Sequence, residues 1–221
     1  MDLSTDRYAD ARNLMVDGQV RPNRVNDRRL LEAMRRLPRE RFVPPQAIAR
    51  AYADEDVPLG GGRMLLAPMS IARLVQLGAP RAGEQVLVVG CATGYGAALL
   101  AACGASVTAL EEDAALLAVA RSALADVAGV TLVEGKLREG WQRAAPYDLV
   151  LIEGAAEAVP AALAAQVRVP GGRLVGVLAT GEHMGRAVLA EPSVGGLSVQ
   201  PAFDCAAPLL PPLRQGRSFV F

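Results

Sequence analysis

The stretch of this sequence best suited to chemistry is Val86-Leu87-Val88-Val89-Gly90-Cys91-Ala92-Thr93-Gly94-Tyr95-Gly96. It reads as a short buried strand, a glycine turn and the start of a helix. Gly90 and Gly94 permit a tight turn and close strand–helix packing, and free N–H groups at a helix start can hold an anion. Some way on, at the end of the next apolar run, stands Glu111. An acid about twenty residues after such a loop can accept hydrogen bonds from ribose hydroxyls. Loop and acid within one βαβ unit point to an adenosine-containing cofactor. The loop alone is also compatible with a sharp βα turn that binds nothing.

Holding these groups in place requires a parallel sheet. Short, mostly apolar runs predict strands at Gln85–Val89, Ser106–Leu110, Val130–Val133, Asp148–Ile152 and Arg173–Leu178. Helical stretches separate them at Gly94–Cys103, Asp113–Val127 and around Val159–Val167. Strands alternating with helices at this spacing give an α/β, Rossmann-like, doubly wound and mostly parallel sheet. An N-terminal helical extension precedes it. A helix runs from Ser4 to about Val20, capped by Ser4 or Thr5. Asp27 opens a second, with Leu30, Leu31, Met34 and Leu37 on one face, and Pro38 stops it. Gln46–Tyr52 is a short helix, Gly60-Gly61-Gly62 a loop, and Met69–Leu77 a further helix. Strand-like ends at Leu197–Val199 and Ser218–Phe221 close a proline-rich tail. The expectation is one domain over 1–221, divided into an extension (1–62), a core (63–190) and C-terminal strands (191–221).

Composition narrows the function. Of 221 residues, 52% are hydrophobic, enough for a real core. Lys+Arg and Asp+Glu both number 23, so no overall charge draws the chain to nucleic acid or an acidic membrane. Three cysteines (Cys91, Cys103, Cys205) and a single histidine, His183, form no metal-ligand spacing, so no metal is expected. His183 reads as an exposed loop residue. The start carries no basic segment followed by an apolar one, and runs such as Ala97–Cys103 are too short to cross a bilayer. A cytoplasmic protein with reduced thiols is expected. The sequence carries no signal for oligomeric state.

Several segments outside the generic fold carry a family likeness. They are Met15-Val16-Asp17-Gly18-Gln19-Val20-Arg21, Asp27 to Met34, Pro38-Arg39-Glu40-Arg41-Phe42-Val43-Pro44, Ala51-Tyr52-Ala53-Asp54 and Pro58-Leu59. Further on come Gly140-Trp141, Ala145-Pro146-Tyr147-Asp148 and Pro170-Gly171-Gly172-Arg173-Leu174-Val175. In this combination the chain resembles the protein-L-isoaspartate O-methyltransferases from about Asn13 to Leu178. The resemblance implies S-adenosyl-L-methionine (SAM) as cofactor and an isoaspartyl-containing protein or peptide as partner. Methylation of the isoaspartyl carboxylate gives an ester that collapses to a succinimide and so repairs the chain. It further implies that Gly90, Cys91, Ala92 and Gly94 line the methionine end of the cofactor and that Glu111 holds the ribose. Lys136 and Leu137 then fall beside the adenine, and Leu66 and Glu153 on the acceptor side.

Some of these positions depart from the family's pattern. Val88 stands where the family has an acid before the loop, and Ala92 stands for the middle glycine. Gly135-Lys136-Leu137 replaces Gly-Asp-Gly, Leu66 replaces a serine, and Glu153 replaces a threonine. The implied consequences are a misplaced positive charge at Lys136 and repulsion of the acceptor carboxylate by Glu153, or else a base at Glu153 for a different acceptor. Besides the isoaspartyl methyltransferase, two readings therefore stand: a diverged enzyme with another acceptor, and a non-catalytic scaffold with weak or no SAM binding.

Overall fold

In a computed structural model the described residues are 8–180 and 184–214. The expected caps Ser4 and Thr5, the residue His183 and the expected strand at 218–221 lie outside them. The chain enters on helix α1 (Ala9–Met15), which continues as a π turn over Val16–Val20 and a 3-10 turn over Arg21–Asn23. Asp27 caps α2 (Arg28–Arg36) as its sequence predicts, accepting from the Arg29 and Leu30 amides at 2.9 and 3.5 Å. Leu30 and Met34 are buried by that helix, and Pro38 follows its end. Two 3-10 turns, Arg39–Phe42 and Pro45–Arg50, lead to the glycine run.

The glycine run is the turn of a hairpin. Strands β1 (Val57–Gly60) and β2 (Arg63–Leu65) pair antiparallel, Val57 opposite Leu65. Gly60, Gly61 and Gly62 all have positive φ, which is why three glycines can turn the chain here. These two strands are too short to announce themselves by alternation, and a loop is what the sequence predicts. Helix α3 (Pro68–Gly78) then leads into the main sheet.

That sheet has seven strands. β3 (Gln85–Val89), β4 (Ser106–Glu111), β5 (Val130–Glu134), β6 (Leu149–Ala156) and β7 (Arg173–Ala179) lie in the order β5-β4-β3-β6-β7, all parallel. Helices α4 (Tyr95–Ala102), α5 (Ala114–Ala123) and the single turn α6 (Ala161–Ala164) connect them. β8 (Gly185–Ser193) and β9 (Gly196–Asp204) extend the β7 edge antiparallel. The five parallel strands match their sequence expectations to within a few residues, and β6 runs on to include Glu153 and Gly154. β8 was not foreseen: an arginine, a glutamate and a proline interrupt its apolar run. The order reverses between β3 and β6, and in such sheets ligands bind in the crevice beyond the strand ends at that point. β6 bulges there, since three residues (Ile152 to Gly154) lie between the partners of Val175 and Val177. Among the described residues, no helix is long and apolar enough to cross a membrane.

Candidate cofactor site

The glycine loop leaves β3 with three left-handed residues, Gly90 (φ 74°), Ala92 (φ 50°) and Gly94 (φ 96°). Gly94 precedes α4, and a methyl group placed on it would approach Leu124 Cδ1 to 2.6 Å. Gly94→Ala is expected to destabilise the fold by about 2 kcal/mol or more, from the positive φ and the clash together; urea unfolding measures it. The N-terminal extension grips the same loop: Thr93 Oγ1 donates to the Phe42 carbonyl at 2.7 Å, and Phe42 meets Tyr95 edge to face.

An anion-binding loop needs free amides. Here four are spent within the chain. Gly90 and Cys91 donate to the Leu110 carbonyl at 2.9 and 3.1 Å, and Gly94 donates to the Cys91 carbonyl at 2.8 Å. Ala92 donates to Glu111 Oε2 at 2.8 Å. Residues 90 to 96 are all buried.

Glu111 stands at the end of β4, where its sequence position places it, and is fully buried. Its Oε1 accepts from the Glu112 amide at 2.9 Å, from the Asp113 amide at 3.2 Å and from Arg63 Nη1 at 2.6 Å. With the Ala92 amide, that makes four donors. Three of them fall on Oε1, which has two lone-pair sites, so Oε1 is closed to a ribose hydroxyl, while Oε2 carries one donor and keeps one site. Arg63 is 5% exposed and also donates from Nη2 to the Gly90 carbonyl at 2.9 Å. Sequence reasoning missed this arginine. The only hint was a cation directly after three glycines.

The space above the loop is taken as well. A methyl group on Gly90 would come within 3.1 Å of Arg63 Nη2 and of Leu210 Cδ1, and within 3.4 Å of Leu137 Cδ1. One on Gly154 would meet Leu210 Cγ at 2.7 Å. Leu210 belongs to a segment that bridges onto the end of β6: Ala155 N donates to Pro208 O and Leu210 N to Ala155 O, both at 2.9 Å. Leu137 and Leu210 are both buried.

The remaining expected residues separate. Lys136 points to solvent and pairs with Glu139 at 3.4 Å, so its charge is not in the crevice; the cation that is there is Arg63. Val88 is buried in the sheet. Leu66 is buried, and its carbonyl accepts from Arg39 Nη2 at 2.6 Å. Glu153 lies on β6 against Gly96, buried, with Oε2 unpartnered. Burial raises its carboxyl to about 8, against the pull of the Arg63 and Arg39 guanidiniums. That burial favours the protonated, uncharged form of the side chain at neutral pH. The Cys91 thiol is pushed up by burial and then by the Glu111 and Glu153 charges. It is not the activated thiol that a helix start can create. In native protein at pH 8, Cys91 is expected to resist iodoacetamide and to alkylate only in denaturant; mass spectrometry of the Cys91 peptide reads this. Among the described residues, no group of His, Cys, Asp and Glu could hold a metal ion.

A solved protein-L-isoaspartate O-methyltransferase superposes with a TM-score of 0.78 at 19% identity, covering 90% of this chain and 65% of that one. A putative protein-L-isoaspartate O-methyltransferase from Plasmodium falciparum, in complex with S-adenosyl-L-homocysteine (SAH), gives 0.72 at 15%, covering 87% and 94%. The fold is that of the SAM-dependent methyltransferases. Within that class the chain belongs to the protein-L-isoaspartate(D-aspartate) O-methyltransferase family, whose model matches residues 11–189. Proteins named protein-L-isoaspartate O-methyltransferase are 43% identical over 166 residues in Methylorubrum populi (75% of this chain, 78% of that protein). In Marinobacter nauticus the figure is 41% over 178 residues, covering 79% and 80%.

SAM is the cofactor of this family. In the conformation described, the residues of this chain do not fit it. One oxygen of the ribose anchor is fully taken, by Arg63 and two amides, four loop amides are paired internally, and Leu210 and Leu137 cover the loop.

Proposed function

We propose that this chain performs the family's reaction, methyl transfer from SAM to the carboxylate of an isoaspartyl residue in a protein or peptide. It does so only from a conformation in which the crevice between β3 and β6 has opened. The observation that supports this reading is the reach of the family match, residues 11–189, which spans the N-terminal helices as well as the sheet. The chemistry asks little of the acceptor side. A carboxylate is already ionised and nucleophilic at neutral pH, so the protein has to position it rather than activate it. Leu66 removes a hydroxyl that could hold the acceptor, not a base the reaction needs. The test is incubation with an isoaspartyl peptide and methyl-labelled SAM, followed by measurement of volatile methanol after mild base. Counts no higher than those with the normal aspartyl peptide would reject this reading.

A second reading has its own support. Val88 and Leu66 are 0% and 1% exposed, so two positions at which the family carries polar side chains have become core. A family member that keeps the fold as a binding module and has given up the chemistry would look like this. It predicts folded protein, no methanol, and no heat on titration with either SAM or SAH.

A further inference from the structure

We propose that the segment Pro208–Leu213, acting with Arg63, is a built-in occupant of the nucleotide crevice, and that cofactor binds only by displacing it. The inference rests on the family reading for the identity of the displaced ligand. Three independent contacts carry it.

The first is polar. Arg63 is the only side chain among the four donors to Glu111; the other three are backbone amides fixed by the loop and by the turn after β4. Arg63 sits on Oε1 with two of those amides, so a ribose diol can use both oxygens of this carboxylate only if the guanidinium leaves. Arg63 thus takes the place on Glu111 that a nucleoside would take. It is itself delivered by the β1–β2 hairpin, whose three-glycine turn is exposed and sits beside Pro211, 3.9 Å from a methyl group built on Gly62.

The second is steric. Leu210 covers Gly90, in the loop directly after β3, and Gly154, on β6, the two strands that flank the reversal of strand order. That is where a doubly wound sheet receives its ligand. A glycine at each point leaves room for something to approach, and in this chain the approaching atoms are its own.

The third is the tether. The segment is latched at both ends. Pro208 and Leu210 bridge to Ala155 on β6, and beyond them Arg138 Nε donates to the Pro212 carbonyl at 2.7 Å while Arg138 Nη2 donates to the Arg214 carbonyl. Leu213 is buried between these points. The latch is made of two backbone bonds, one arginine and two leucines, so it can be released without unfolding the sheet.

The test is calorimetry with SAH and with SAM on the full-length chain, comparing wild type with Leu210→Ala and Arg63→Met. Wild type should not saturate in the micromolar range usual for cofactor sites. Each variant should gain affinity by about tenfold or more, since a competing contact has been removed. The two differ in a way that identifies them. Leu210→Ala should help the uncharged thioether of SAH and the sulfonium of SAM alike. Arg63→Met should help SAM more, because it also removes a buried cation from beside a cationic ligand. Circular dichroism and urea unfolding check that the variants fold, and Leu210→Ala keeps the test alive if Arg63→Met does not. Folded Leu210→Ala protein that binds SAH no better than wild type would overturn the proposal. So would micromolar binding by wild type that leaves the Ala155 and Leu210 amides as protected from hydrogen exchange as before. Methanol release separates the two ideas: a variant that gains SAH affinity but makes no methanol upholds the occupant and sinks the isoaspartyl reaction.

Discussion

Replacing Glu153 with glutamine is expected to raise stability by roughly 4 kcal/mol more near pH 9 than near pH 5. The reason is a buried carboxyl that titrates at about 8, against an ordinary glutamate value of 4.5. Below the ordinary value both folded and unfolded chains carry the proton. Between the two values the unfolded chain has released it and the folded chain has not, so each pH unit weakens the folded state by about 1.4 kcal/mol. Above about 8 the loss is complete. The stabilising effect of a raised pKa is thus present at low pH and lost as pH rises through the folded value. Glutamine imitates the protonated acid in shape and in lack of charge. It inherits the same unpartnered position at Oε2 and titrates nowhere. Urea unfolding of both proteins from pH 5 to pH 9 decides the matter: parallel curves would show that Glu153 keeps an ordinary pKa in the fold.

Arg39→Met should cost about 3–5 kcal/mol, the largest loss expected from any single side chain discussed above. Arg39 is fully buried. Its Nε donates to the Ala51 carbonyl and its Nη2 to the Leu66 carbonyl, both at 2.6 Å, and its guanidinium lies 4.7 Å from the centre of the Tyr95 ring. Burial pushes its pKa down, yet a guanidinium keeps its proton at any pH the fold survives. Methionine fills much of the volume and leaves two buried carbonyls without donors. Lysine should recover only part of the loss, because one ammonium cannot serve two carbonyls set by a planar fork. A loss below about 1 kcal/mol on urea unfolding would mean that water replaces the arginine with little cost.

These two residues illustrate what could be read in advance. The sheet was legible because parallel strands buried on both faces are apolar throughout, as Val86–Val89 and Leu149–Ile152 are. The glycine loop and Glu111 were legible because their spacing follows from the geometry of one βαβ unit. Asp27 was legible as a cap because capping is local. What stayed hidden was everything that depends on pairing across the chain. Arg63 meets Glu111 across 48 positions, and Arg39 meets Leu66 across 27. Lys136 and Arg63 show the difference sharply. Position beside a family motif suggested that Lys136 would bring a charge to the crevice; it turns to Glu139 instead, and an arginine from the hairpin enters. Leu210 lies in a proline-rich stretch with no periodicity, so nothing local could reveal that its side chain fills the space over two glycines. The tail announced itself only as irregular.

The four donors on Glu111 have one more consequence. They come from three separate pieces of chain: the hairpin through Arg63, the glycine loop through Ala92, and the turn after β4 through Glu112 and Asp113. A single carboxylate therefore ties together segments that would otherwise fluctuate independently. When one donor departs, the remaining three share a charge in a dry site and hold it less well. Departure of the arginine should thus loosen loop and turn in the same event, so that the crevice behaves as a concerted, all-or-none element rather than opening by degrees.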